Sequence, residues 1–90
     1  MKILYVEDDP RAAREMEDIV RREGDTIAVE TNGADGLKRA GLESFDVIVS
    51  FQVIEHLEDP HVYLESIARL LAPGGTAIIT TPNLLTSDKI

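Results

Sequence analysis

Cysteine is absent from all 90 residues, which excludes disulfides, thiolate metal sites and a cysteine nucleophile. Basic residues are scarce. Nine Lys and Arg stand against seventeen Asp and Glu, and the resulting charge of −8 repels phosphate backbones and anionic lipid. Neither nucleic acid nor a membrane is an expected partner, and cations suit the chain better. Long apolar runs are also missing: the N-terminal one stops at Glu7, so no signal peptide or membrane span is expected and a cytoplasmic setting is the default. The length allows one α/β domain, residues 1–90, near the lower end of what buries a self-sufficient core. A hydrophobic content of 43% in regular periods excludes a disordered chain.

Ile3, Leu4, Tyr5 and Val6 read as a strand, with Glu7, Asp8 and Asp9 crowded at its end. A helix follows: Asp9 caps it, Pro10 suits its first turn, Ala12, Ala13, Met16, Ile19 and Val20 recur at helical spacing, and Gly24 ends it. Residues 26–30 form a second strand. Asn32 and Gly33 open a short helix in which Ala34, Leu37, Ala40 and Gly41 share a face. Val47–Phe51 is a third strand, β-branched and central, and residues 51–56 after it sit where open parallel sheets place their chemistry. Asp59 and Pro60 start a third helix with Leu64, Ile67, Ala68 and Leu71 on one face, and Pro73, Gly74 and Gly75 stop it. Residues 76–81 make the fourth strand. Residues 84–90 show no period and read as a tail.

Strands alternating with helices in a β-α-β-α-β-α-β series require a parallel sheet with right-handed crossovers, hence a three-layer α/β fold with strand order 2-1-3-4. The first helix then lies alone on one face, and the second and third on the other. Strands three and four look apolar on both sides, yet only one helix serves the first face. Part of that face is therefore expected to be bare, and self-association through it or through the fourth-strand edge is the expected remedy.

Residues 1–50, KILYVEDDPRAAREMEDIVRREG and then NGADGLKRAGLESFDVIV, resemble the receiver domain of two-component response regulators, a flavodoxin-like fold. The resemblance implies metal-site roles for Glu7 and Asp8, with Asp8 favoured as the direct ligand, and Mg²⁺ as the cation that hard oxygen donors suit. Receivers carry a phospho-accepting aspartate at the end of the third strand. Here that position is Phe51. Thr80 or Thr81 stands for the family's hydroxyl residue after the fourth strand.

Residues 45–83, FDVIVSFQVIEHLEDPHVYLESIARLLAPGGTAIITTPN, are similar instead to class I S-adenosylmethionine-dependent methyltransferases, with EHL, PGG and TPN at the family's positions in a Rossmann-like sheet. Such enzymes hold their cofactor with a glycine-rich loop after the first strand, which lets the backbone approach the ligand. The corresponding segment here, EDDPR, has no glycine. The resemblance matches Glu30, at the end of the second strand, to the family's ribose-binding acid; Glu55, which strand order sets beside the acidic pair, is the second cofactor-rim candidate.

Receiver strands 2-1-3-4 occupy the places of methyltransferase strands 2-1-4-5, so a crossover at FDVIV preserves sheet order. Each half lacks the chemistry its family needs from the other. The expectation is a chimeric α/β scaffold, made by design or by recombination, with no intact activity, no resident cofactor, and Mg²⁺ rather than S-adenosylmethionine as the ligand to test. A degenerate receiver module and a methyltransferase fragment are the alternatives. Phe51 reads as core, His56 as a loop histidine, and His61 as surface.

Overall fold

The computed structural model describes residues 1–51 and 57–80. Along the chain lie β1 (Lys2–Glu7), α1 (Pro10–Arg22), β2 (Thr26–Glu30), α2 (Gly33–Leu42), β3 (Val47–Phe51), α3 (Pro60–Leu70) and β4 (Thr76–Thr80). Every element that the sequence predicts is present. Glu55, His56, Thr81, Asn83 and the 84–90 segment lie outside the described residues.

The three helices start where capping chemistry tells them to. Asp9 accepts the Arg11 amide at 2.9 Å, Asn32 accepts the Asp35 amide at 2.8 Å, and Asp59 accepts the Val62 amide at 3.2 Å. Each satisfies an amide that the first helical turn leaves without a partner, and proline follows the cap in α1 and α3 because its missing N–H costs nothing there. Gly24, with φ of 84°, and Gly74, with φ of 78°, turn the chain through the left-handed region after α1 and before β4.

All strand pairs are parallel and the order is β2-β1-β3-β4, the order that the alternation implies. α2 and α3 cover one face, where Leu4, Val6, Phe45, Ile48, Tyr63 and Ile67 form the main core. Leu4, Phe45 and Ile48 are fully buried, each stabilising by about 1.5–3 kcal/mol. α1 covers the other face over β1 and β2, packing Ala13, Val20 and Met16 on Tyr5 and Ile27. Among the described residues no helix is long and apolar enough to cross a membrane.

Three expected faces are corrected. α2 buries Gly33, Gly36 and Ala40 and leaves Ala34 and Gly41 exposed, because its second glycine lies flat on Val6: a Cβ at Gly36 would sit 2.7 Å from Val6 Cγ2. α3 buries Tyr63 and Ile67 rather than Ala68, since the Tyr63 hydroxyl reaches Ser50 beneath it. Phe51 is not core. It is 38% exposed, on the side of the sheet that α1 serves, where α1 packs mainly on β1 and β2.

Candidate functional site

The strands run parallel, so their C-terminal ends gather Glu7, Glu30, Phe51 and Thr80 along one rim, with Asp8 and Asp9 in the turn after β1. Register pairs Glu7 with Phe51, Phe51 with Thr80, and Val6 with Glu30. Because successive strand residues alternate faces, Tyr5 and Glu7 lie on the α1 side, whereas Glu30 lies on the α2 side. The sheet therefore separates the two acids.

Glu7 is 3% exposed and both of its oxygens are committed. Oε1 accepts the Tyr5 hydroxyl at 3.3 Å, and Oε2 accepts the Asp9 amide at 3.2 Å. Burial raises its pKa above the ordinary glutamate range; the Asp9 amide opposes that shift, and neighbouring Asp8 adds to it. The Tyr5 phenol is pushed up to about 12, first by burial and then by the Glu7 charge. Asp8 is exposed beside this pair. Among the described residues no three His, Asp or Glu side chains gather in an arrangement that could hold a metal ion.

Glu30 belongs to a different network. Its Oε2 accepts Arg39 Nε at 2.8 Å, Arg39 turns a second nitrogen to Glu43 Oε2 at 3.0 Å, and Glu43 Oε1 meets Lys2 Nζ at 2.8 Å. Lys2 Nζ in turn stands 5.2 Å from the centre of the Phe45 ring. Glu43 is held below the usual carboxylate range, by Lys2 first and Arg39 second. Glu30, Arg39 and Glu43 border an open hollow of about 430 Å³ on the outside of α2. Sequence reading missed this chain of ion pairs. Its one sequence signal is the i, i+4 spacing of Arg39 and Glu43; the contacts to Glu30 and Lys2 arise only in the fold.

A second missed feature lies beneath the rim. Ser50 and Tyr63, 0% and 3% exposed, share a hydrogen bond of 2.8 Å that ties α3 to β3. It satisfies two polar groups that would be costly to bury alone, and among the described residues no buried side-chain polar atom is left without a partner.

Solved structures that share this fold include a receiver domain and a response regulator. The receiver domain of the hybrid histidine kinase CckA superposes with a TM-score of 0.66 at 19% identity, covering 99% of this chain and 94% of that one. The response regulator TrrA of Thermotoga maritima gives 0.55 at 14% identity over 98% and 93%. At these identities the likeness is one of fold. Curated relatives in sequence are methyltransferases. A ubiquinone biosynthesis O-methyltransferase of Cereibacter sphaeroides is 43% identical over 60 residues, which is 67% of this chain and 24% of that protein. A probable S-adenosylmethionine-dependent methyltransferase of Mycolicibacterium smegmatis is 49% identical over 43 residues, 48% of this chain and 17% of that one. The chain thus spans about a quarter or less of the length of these relatives. A family profile described as a methyltransferase domain matches residues 5–89, and the chain belongs to that family.

Proposed function

We propose that this chain is a non-catalytic α/β module in which a receiver-like first half and a methyltransferase-like second half share one sheet, as a chimera would. The observation that carries the reading is the turn at residues 7–11. The family's S-adenosylmethionine needs a turn there that brings free amides and bare backbone to the ligand. In this turn the Asp9 amide is spent on Glu7 and the Arg11 amide on Asp9, Pro10 has no amide hydrogen, and there is no glycine. The hollow beside this turn is lined by Asp9, Pro10, Arg11 and Arg14. Glu30, placed at the end of β2 as a ribose-binding acid would be, is drawn instead to Arg39 and lies across the sheet from Glu7. These residues do not fit the cofactor.

Phosphoryl transfer lacks its acceptor in the same way. Phe51 stands next to Glu7 in register, at the place the receiver resemblance gives to the reactive aspartate, and a phenyl ring neither accepts a phosphoryl group nor ligates a cation. A divalent cation at Glu7 and Asp8 has to compete with the protein donors that both Glu7 oxygens already accept. Weak Mg²⁺ affinity follows from that competition.

Thermal melts of the purified chain alone, with millimolar Mg²⁺ and with millimolar S-adenosylmethionine test the reading, since a ligand that binds the folded state raises the midpoint by mass action. A cooperative melt that S-adenosylmethionine leaves in place, with at most a small Mg²⁺ shift, is expected. A clear rise with S-adenosylmethionine would replace this reading with that of a cofactor-binding methyltransferase fragment.

A further inference from the structure

α2 and α3 pack side by side on one face of the sheet, yet a hollow of about 270 Å³ stays open between their first turns. Residue size explains it. Gly33 and Ala34 bring almost no bulk to the start of α2, so the side chains of α3 opposite them have nothing to pack against. Leu37, Leu57 and Val62 supply the walls, Tyr63 contributes from below, and the exposed lining is almost wholly apolar. Val62 is 55% exposed as a result. Every residue that lines the hollow lies in the described part of the chain.

Size and charge select the occupant. The hollow falls below the roughly 300–1,000 Å³ of pockets that take a drug-sized ligand or a cofactor, and suits one large apolar side chain. Its polar border is acidic: Glu58 and Asp59 stand there, and no basic residue lines it. Asp59 gives one oxygen to the Val62 amide, while Glu58 has no hydrogen bond or ion pair among the described residues. A second copy of a chain carrying −8 would bring like charge to these two carboxylates, whereas a basic segment would neutralise them. An apolar anchor with a cation one turn away is the pattern of a basic amphipathic helix laid in a groove between two helices.

We infer that the hollow between the first turns of α2 and α3 docks a basic amphipathic helix of a partner protein, which seats one apolar side chain beside Leu37 and Val62 and sets Lys or Arg against Glu58 and Asp59. A single anchor in a small pocket gives weak, reversible binding. The inference is independent of whether the chain binds any cofactor.

Nuclear magnetic resonance titration of the full, nitrogen-15-labelled chain with three synthetic helical peptides of equal length tests it. One carries leucines at i and i+4 flanked by lysines, the second has those leucines replaced by alanine, and the third has the lysines replaced by glutamate. The leucine–lysine peptide is expected to shift the amides of Gly33, Ala34, Leu37, Val62 and Tyr63 saturably, with a dissociation constant of about 0.1–1 mM. The alanine peptide keeps the charge and loses the anchor, and is expected to bind at least about tenfold more weakly. The glutamate peptide is expected to cause no shift. Val62→Ser is expected to weaken the leucine–lysine peptide at least about fivefold; the exposure of Val62 keeps the fold intact, which a circular dichroism melt verifies. Ile19→Ser, at a comparably exposed apolar position on α1, is expected to leave binding unchanged. Equal binding of the leucine and alanine peptides would reduce the effect to bare charge attraction and overturn the inference. So would saturable shifts centred elsewhere, the absence of saturable shifts, or shifts at these amides that grow with protein concentration alone, as a second copy in the hollow would produce.

Discussion

Alanine at Gly36 and alanine at Gly41 are the same chemical change on the same helix, and the structure gives them opposite signs. Both lie within α2, where glycine is roughly 0.5–1 kcal/mol worse than alanine. Gly41 is exposed and a Cβ there meets nothing within 4 Å, so Gly41→Ala gains about that amount. At Gly36 the new Cβ would stand 2.7 Å from Val6 Cγ2 and 3.4 Å from Cγ1. Val6 cannot yield, being fully buried in a strand paired on both sides. Overpacking of this kind costs about 1–3 kcal/mol, which outweighs the helix gain except at the bottom of the range. The helix term is common to both variants, so their difference isolates the clash at about 1–3 kcal/mol. In a domain of this size each kcal/mol moves the melting midpoint by roughly 4–8 °C. Parallel thermal melts at neutral pH should therefore place Gly36→Ala at least about 4 °C below Gly41→Ala. Equal midpoints would refute the close seating of α2 on β1, and with it the position of the rim at the start of α2.

Two further outcomes follow from buried polar groups. Glu7 has its folded-state pKa raised, chiefly by burial, so the folded state favours its protonated form: the penalty is full above the folded pKa and is relieved as pH falls below the unfolded one. Glu7→Gln can still accept the Asp9 amide and donate to Tyr5 Oη, so urea melts should show it at least as stable as the parent at pH 7, with the advantage shrinking on acidification. An advantage that grows toward acid would contradict the burial assigned to Glu7. Ser50→Ala and Tyr63→Phe each strand one buried hydroxyl and should each cost about 1–3 kcal/mol, whereas the double variant should cost less than their sum. Strict additivity would mean that the two hydroxyls do not bond.

Most of the fold was legible because its signals are local. Caps at Asp9, Asn32 and Asp59 and prolines at 10 and 60 mark helix starts within a few residues, and strict strand–helix alternation leaves little freedom in topology. What failed to show was burial set by distant neighbours. Phe51 looks like core in any hydropathy pattern; its exposure follows from the placement of α1, which packs mainly on β1 and β2. Gly33 and Gly36 carry no hydropathic signal, so the buried face of α2 was assigned to Ala34 and Gly41 instead. At the rim, sequence placed Glu7, Asp8 and Glu30 at the correct strand ends. It could not reveal that the sheet divides Glu7 from Glu30, or that each is already bonded to Tyr5, Asp9 or Arg39. Alternation along β1 contained the clue for one of these contacts, since Tyr5 and Glu7, two residues apart, must share a face.

The central claim is that the turn at residues 7–11 leaves no place for the family's cofactor, and equilibrium dialysis of labelled S-adenosylmethionine against the purified chain at neutral pH tests it most directly. The account predicts no saturable uptake up to millimolar ligand, a concentration at which even a dissociation constant of about 1 mM would be visible. Saturable one-to-one binding that S-adenosylhomocysteine displaces would contradict it.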